Sequence, residues 1–90
     1  MEKQEAKIYI SNLKEQLANL KSRHANANAQ HKIELDNLKG DVARQSNPGA
    51  KQNARIRVES KKQTMANAKL GQQSEVESLK NKIESVKRYL

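Results

Sequence analysis

The chain has 90 residues and a formal net charge of +8, and only 34% of it is hydrophobic, with two Tyr and no Phe, Trp or Cys. The missing cysteines exclude disulfides and thiolate metal sites, and the shortage of large apolar side chains leaves little material for a globular core. No apolar run approaches the roughly 20 residues of a membrane span, and no hydrophobic signal segment follows the charged start. We therefore expect a cytoplasmic protein, of a size and simplicity typical of bacterial or phage proteins.

Apolar residues in the first half recur at alternating steps of four and three, the heptad spacing of a helix that packs along one seam. One extra step of four, between His31 and Leu35, is a stutter, which locally unwinds a coiled coil. We predict a first helix over about residues 3–45. Its predicted seam residues are Ala6, Ile10, Leu13, Leu17, Leu20, His24, Ala27, His31, Leu35, Leu38 and Val42.

The only proline, Pro48, lies near the middle of the chain in the stretch Ser46 to Ala50. A residue before proline is pushed out of the α region, so the first helix should end by Ser46. Asn47 is a favourable N-cap, and Pro48 is tolerated at the first position of a helix because its missing N–H is not needed there. The sequence therefore predicts a bend at Asn47-Pro48-Gly49, within about residues 46–50, and a second helix over about residues 48–89.

The second half carries a matching seam, with a stutter at Ala68–Gln72–Val76. Folded at the proline, the two seams pair in antiparallel register, for example Ile10 with Val86, Leu13 with Ile83 and Leu17 with Leu79. We predict an all-α fold, a single antiparallel two-helix hairpin of coiled-coil type over residues 1–90. The second seam comprises Ala54, Val58, Lys61, Met65, Ala68, Gln72, Val76, Leu79, Ile83, Val86 and Leu90.

Two glycines leave an alternative open, because glycine inside a helix costs about 1 kcal/mol relative to alanine. A break at Gly40 would end the first helix early and lengthen the connection. A break at Gly71 would divide the second helix and give three helices.

Four aliphatic residues lie off the predicted seam. They are a candidate self-association surface, which would join two hairpins into a homodimeric four-helix bundle. Docking to another protein and ordinary surface exposure are the alternatives. These residues are Ile8, Ile33, Ile56 and Leu70.

Basic residues define two candidate partner-binding surfaces. Residues 39–62 hold seven basic groups against two acidic ones, among them Arg44, Lys51, Arg55, Arg57, Lys61 and Lys62. Along one flank of the seam, Lys7, Lys14 and Lys21 recur every seven residues, and Lys80 and Lys87 occupy the equivalent position of the second helix. Antiparallel coiled coils usually place opposite charges at these facing positions, so an anionic partner would neutralise this flank. That partner is an acidic protein surface or a nucleic acid.

The sequence contains no catalytic constellation and no phosphate-binding glycine loop. His24 and His31 lie seven residues apart, about 10 Å along one helix, which is too far to chelate one ion. We therefore expect no cofactor and no metal site, and the histidines set the register of the seam or sense pH.

These observations predict a non-enzymatic coiled-coil interaction protein: an adaptor, assembly factor or inhibitor of a larger protein machine. The alternative is a nucleic-acid-binding hairpin that contacts phosphates without reading sequence, since the chain has almost no aromatic side chains for base stacking.

Overall fold

The computed structural model describes residues 1–90 and contains two α-helices and no strand. Helix α1 spans Lys3–Arg44 and helix α2 spans Pro48–Lys87, with lengths of 42 and 40 residues. The helices pack against each other in opposite chain directions. The predicted all-α helical hairpin is confirmed at this level.

Three residues, Gln45 to Asn47, separate the helices. The side-chain Oδ1 of Asn47 accepts hydrogen bonds from the backbone N–H groups of Gly49 (2.8 Å) and Ala50 (3.2 Å). Pro48 is the first residue of α2, where a missing N–H leaves no intrahelical bond unmade. The predicted N-cap is therefore confirmed, and the non-helical residues come before the proline.

The chain forms two compact units, and each has its own packing. Unit 1 comprises Met1–Ala25 and Gly71–Leu90. Its core contains Ala6, Ile10, Leu13, Ile83 and Val86, with Leu17 and Leu79 packed against it. The cluster and the residues packed against it include both members of the three pairs given as examples of the predicted register: Ile10 with Val86, Leu13 with Ile83 and Leu17 with Leu79.

Unit 2, Asn26–Leu70, buries less apolar surface than unit 1. Only Ala54 and Val58 are buried here, at 6% and 8% exposure. The other predicted seam positions of this unit are half-buried, apart from the exposed Ala27, and they include two polar side chains, His31 and Lys61. Unit 2 therefore depends more on polar contacts for its stability than unit 1 does.

The predicted seam is wrong at two positions. Ala27 is exposed and Asn28 is half-buried in its place. The stutter of α1 therefore lies at Leu20–His24–Asn28. In the register that pairs Leu17 with Leu79, its central residue His24 is opposite Gln72, the centre of the α2 stutter. Because a stutter unwinds a helix locally, packing is better kept when both helices unwind at the same layer. Leu90 is 52% exposed, since α2 ends at Lys87.

Neither glycine breaks a helix. Helix α1 continues through Gly40 to Arg44, and α2 continues through Gly71. No glycine has a positive φ, so none of these positions requires glycine for backbone reasons.

Replacing Gly71 with Ala should stabilise the protein by about 1 kcal/mol, because the methyl group removes unfolded-state freedom and costs nothing in packing. A Cβ at Gly71 would meet no atom within 4 Å. Gly49→Ala is the matched control, since a Cβ there would lie 3.2 Å from the capping Asn47 Oδ1 and should bring no gain. Urea unfolding followed by circular dichroism measures both, and an equal response from the two variants would contradict a continuous α2.

Candidate functional site

A polar cluster joins the two helices of unit 2. The ammonium group of Lys61, a seam residue with a side chain only 15% exposed, donates hydrogen bonds to the carboxylate of Glu34 and to Nδ1 of His31, the latter at 3.0 Å. The hydrogen bond from Lys61, followed by that from Gln30, holds the pKa of Glu34 below its ordinary value. The cluster thus satisfies a lysine that the seam would otherwise bury unpaired.

The stability of the protein should fall in acid partly because Glu34 becomes protonated. Its folded-state pKa is lowered, so its contribution is present above the unfolded value of about 4.3 and is lost as the pH falls through the folded value. Glu34→Gln should therefore flatten the decline of the urea midpoint below about pH 5, relative to wild type. Asp36→Asn, which removes a nearby exposed carboxylate without an ion pair, should leave that decline unchanged. A wild-type slope in Glu34→Gln would contradict this role.

The other histidine has a carboxylate partner on the opposite helix. In unit 1, His24 Nε2 lies 3.6 Å from Glu75 Oε1, and the His24 side chain is 16% exposed. The sequence analysis identified neither of these contacts, Lys61 with Glu34 or His24 with Glu75. A signal was present: each glutamate directly precedes a seam residue, Leu35 or Val76, a position that lies beside the opposite helix.

No group of three or more His, Asp or Glu side chains converges as ligands for a metal ion would. Neither helix has a stretch of the length and hydrophobicity needed to cross a bilayer.

The structure separates the predicted basic residues of unit 2 by their partners. Lys61 is held by Glu34 and His31. Arg44 is bound to Asp41, and Lys62 lies 3.5 Å from Glu59. No carboxylate forms an ion pair with Lys51, Arg55 or Arg57. Lys61 is thus the one predicted contact residue whose ion pair joins the two helices.

The corrected seam reveals a wider pattern of charge. With the heptad positions written a to g, and a and d in the seam, every d residue of both helices is followed at e by Lys or Arg. Eighteen residues of 90 are basic, so composition alone would make about two of these ten e positions basic. We call the ten residues the cationic flank: Lys7, Lys14, Lys21, Lys32 and Lys39 in α1, and Arg55, Lys62, Lys69, Lys80 and Lys87 in α2.

The spacing within the cationic flank is the same in both helices: seven, seven, eleven and seven residues. The longer step spans the stutter. The sequence prediction placed Lys7, Lys14, Lys21, Lys80 and Lys87 on this flank and left out the other five residues. Lys32 was missed because Ala27 rather than Asn28 was taken as the seam residue. The signal that would have found the whole set is the basic residue after each d position.

All ten side chains of the cationic flank are exposed. Only Lys62 and Lys87 contact a carboxylate, and both do so within their own helix, with Glu59 at 3.5 Å and Glu84 at 2.9 Å. No ion pair crosses between the helices from this flank. Facing e positions of antiparallel helices normally carry opposite charges. Here both carry positive charge, so repulsion across the flank destabilises the packing of α1 against α2.

In unit 2 the cationic flank borders a shallow groove, which we call the unit 2 groove. Lys39 and Arg55 of the flank line it, together with the seam residues Val42 and Val58 and the exposed Ile56. Its polar lining is Gln52, Ser60 and Glu59, and Glu59 is paired with Lys62. Ile56 is 57% exposed. The groove therefore combines apolar side chains with cations that have no ion-pair partner.

The four off-seam aliphatic residues are all exposed, between 54% and 65%. Each occupies position f, the helix face opposite the seam. The two tyrosines are also partly exposed, and Tyr9 lines a second shallow groove with Ser78, Lys82 and Ser85 of unit 1. The aliphatic residues are Ile8, Ile33, Ile56 and Leu70.

Comparison with known proteins gives no match to a protein-family model, a curated protein or a solved structure. The chain is thus described by its own features: a helical hairpin whose e positions are all basic.

Proposed function

We propose that this chain is a non-enzymatic, cytoplasmic helical-hairpin interaction protein that binds an acidic protein surface through its cationic flank. The observation that carries the proposal is that all ten e positions are basic, although like charges there weaken the hairpin by a few tenths of a kcal/mol each. An anionic partner would relieve the repulsion between these cations, which favours the bound state, and complementary charge raises the association rate.

The surrounding features support a role in binding rather than in catalysis. The grooves are shallow and open, and the polar cluster at Lys61 is satisfied within the fold, with no side chain left over to act on a substrate. An adaptor, assembly factor or inhibitor of a larger protein machine needs only a surface. This chain presents one in a regular pattern along its helices.

Two sets of three substitutions test the proposal with equal loss of charge. Changing Lys39, Arg55 and Lys62 to Gln removes cations from the flank. Changing Arg44, Lys51 and Arg57 to Gln removes the same number of cations of unit 2 at other positions. Binding of fluorescent poly-glutamate, followed by anisotropy at about 50 mM salt, should weaken about tenfold in the first variant and much less in the second. Equal losses of affinity in the two variants would mean that binding depends on net charge and not on the cationic flank. If the wild type does not bind poly-glutamate, the proposal is wrong.

The second candidate function is phosphate binding to duplex DNA or structured RNA by the basic residues of unit 2. It is supported by Arg55 and Arg57, which have no ion-pair partner, and by the exposed Lys62. Lys61 is occupied by Glu34 and His31, so Arg55, Arg57 and Lys62 supply three phosphate contacts. A plot of the logarithm of the duplex-binding constant against the logarithm of salt concentration should then have a slope of about −2.7. A slope near zero would remove this candidate.

We further propose homodimerisation through three of the f-position aliphatic residues, Ile8, Ile33 and Leu70, as part of this function, while Ile56 lines the unit 2 groove. Ile33→Glu combined with Leu70→Glu should lower the molecular mass seen by light scattering while leaving helicity intact, because the charges oppose apolar association. Ser22→Glu combined with Gln63→Glu is the control, since it adds the same charge at polar f positions. If wild type is already monomeric, the aliphatic residues do not make a dimer.

A further inference from the structure

We infer that the partner of the unit 2 groove is an amphipathic α-helix with an apolar stripe and with carboxylates repeated every seven residues, which packs beside the hairpin as a third helix. This inference rests on the proposed function and names the partner of its surface.

The first argument is the repeat of the flank. Within unit 2, Lys32 and Lys39 are one heptad apart, and Arg55, Lys62 and Lys69 cover two heptads. One heptad rises about 10.5 Å along a helix, so these cations recur at that distance. An acidic helix lying alongside has the same rise per heptad, so carboxylates at one of its heptad positions recur at the same distance as the cations and can pair with each of them.

A duplex nucleic acid fits the same row less well. The row from Arg55 to Lys69 is about 21 Å long and nearly straight, because the three residues occupy one heptad position of a single helix. A phosphate strand of duplex DNA makes a full turn in about 34 Å, so over the length of this row it turns through more than half a circle. Its phosphates therefore cannot stay close to all three cations. A partner helix stays alongside throughout.

The second argument is the apolar lining between the cations. Val42 and Val58 form part of the groove, and Ile56 stands beside them at 57% exposure. Phosphate groups have no apolar surface that could pack against these side chains, whereas an amphipathic helix inserts apolar residues into such a groove. The charged rim and the apolar lining together match an acidic amphipathic helix.

The third argument is the low burial of unit 2, which has only two buried residues, Ala54 and Val58. A third helix would cover the exposed edges of Val42 and Ile56. It would also neutralise Lys39 and Arg55, which have no ion pair in the structure. Both changes favour the bound state, so binding should also stabilise the hairpin.

The probe is a synthetic helix of about 21 residues, three heptads long, with Leu at d, Ala at a and Glu at e and g. Its own like charges oppose self-association. The control peptide has the same composition with the glutamates moved off the heptad positions. Full-length protein should bind the first peptide at least about tenfold more tightly than the second, as measured by anisotropy of labelled peptide. Circular dichroism should show added helix on mixing.

Two further variants localise the contact. Ile56→Ser should weaken binding of the heptad peptide about tenfold or more but leave poly-glutamate binding unchanged, because poly-glutamate uses only the cations. Leu90→Ser, which removes an aliphatic side chain of the same size beyond the end of α2, where Leu90 is 52% exposed, should affect neither ligand. Melting temperatures of both variants confirm that they remain folded.

The outcomes separate the two levels of the proposal. If poly-glutamate and both peptides bind equally well, the acidic partner stands and the helical partner is wrong. If none of these ligands binds, the proposed function fails and the inference fails with it. If a short DNA duplex binds more tightly than the heptad peptide at the same salt, the surface is a nucleic-acid interface and the inference is overturned.

Discussion

Leu13→Ala is expected to lower the free energy of unfolding by about 2–5 kcal/mol, a large share of the stability of so small a protein. Leu13 is 4% exposed and belongs to the unit 1 core cluster together with Ile10 and Ile83. Two helices in contact along one seam have few other apolar groups to close the resulting space. Thermal and urea unfolding followed by circular dichroism measure the loss.

The matched control for this substitution is Leu90→Ala, which removes the same side chain from a residue beyond the end of α2 that is 52% exposed. Its cost should stay within about 0.5 kcal/mol, as is usual for surface substitutions. Equal costs for the two variants would mean that Leu13 does not lie in the packed seam, and the assignment of heptad positions would be wrong.

Gly71→Pro should be nearly as damaging, with a cost of about 3 kcal/mol or more. In a continuous helix, proline removes the hydrogen bond to the carbonyl of Asn67, four residues earlier, and its ring clashes with that carbonyl. If α2 were broken at Gly71, proline would be tolerated there as the first residue of a new helix. Comparison with the stabilising Gly71→Ala in the same unfolding experiment separates these cases, because a broken helix predicts small effects for both.

The architecture was predictable because its determinants are local and periodic. The heptad spacing of Leu13, Leu17 and Leu20 indicates one packed helix face, and the N-cap at Asn47 with proline after it fixes where the second helix begins. These features need no information about distant parts of the chain. Helix type and the pairing of the strongest seam residues therefore follow from the sequence.

The seam at Ala27 could not be assigned correctly from spacing alone. Ala27 and Asn28 are both compatible with His24 and His31 as neighbours in a heptad, and hydropathy favours alanine. The structure selects Asn28, which places the stutter of α1 at the layer of the stutter of α2. That choice depends on packing between helices, which a single helix pattern does not contain.

The polar cluster was missed for a related reason. Lys61 was recognised as a seam residue with the wrong size and charge, but its partners depend on which side chains reach across from α1. Glu34 and His31 do so, and Glu34 lies outside the seam. A charged residue at a d position is therefore a reason to look for an acid beside the seam of the opposite helix.

The cationic flank and the stability of the hairpin are opposed in this account. Placing Glu in place of Lys at e positions of one helix would create the ion pairs usual in antiparallel coiled coils and would remove the surface that we propose for binding. Such a compromise between stability and function is common at binding sites. It explains why a chain with so few apolar residues retains unfavourable charges beside its only seam.

The pairing of the two seams and the facing of the two rows of e positions depend on the antiparallel register, and a disulfide between Leu17→Cys and Leu79→Cys tests it most directly. Leu17 and Leu79 pack against the same core cluster in unit 1. The double variant should form an intramolecular disulfide readily under mild oxidation, seen as a monomer of faster mobility in non-reducing gels. Leu17→Cys with Val86→Cys should not, because Val86 lies seven residues further along α2, about 10 Å away, and a disulfide requires Cα atoms within about 7 Å. Crosslinks that form only between chains, or equally well in both variants, would contradict the register and the cationic flank defined from it.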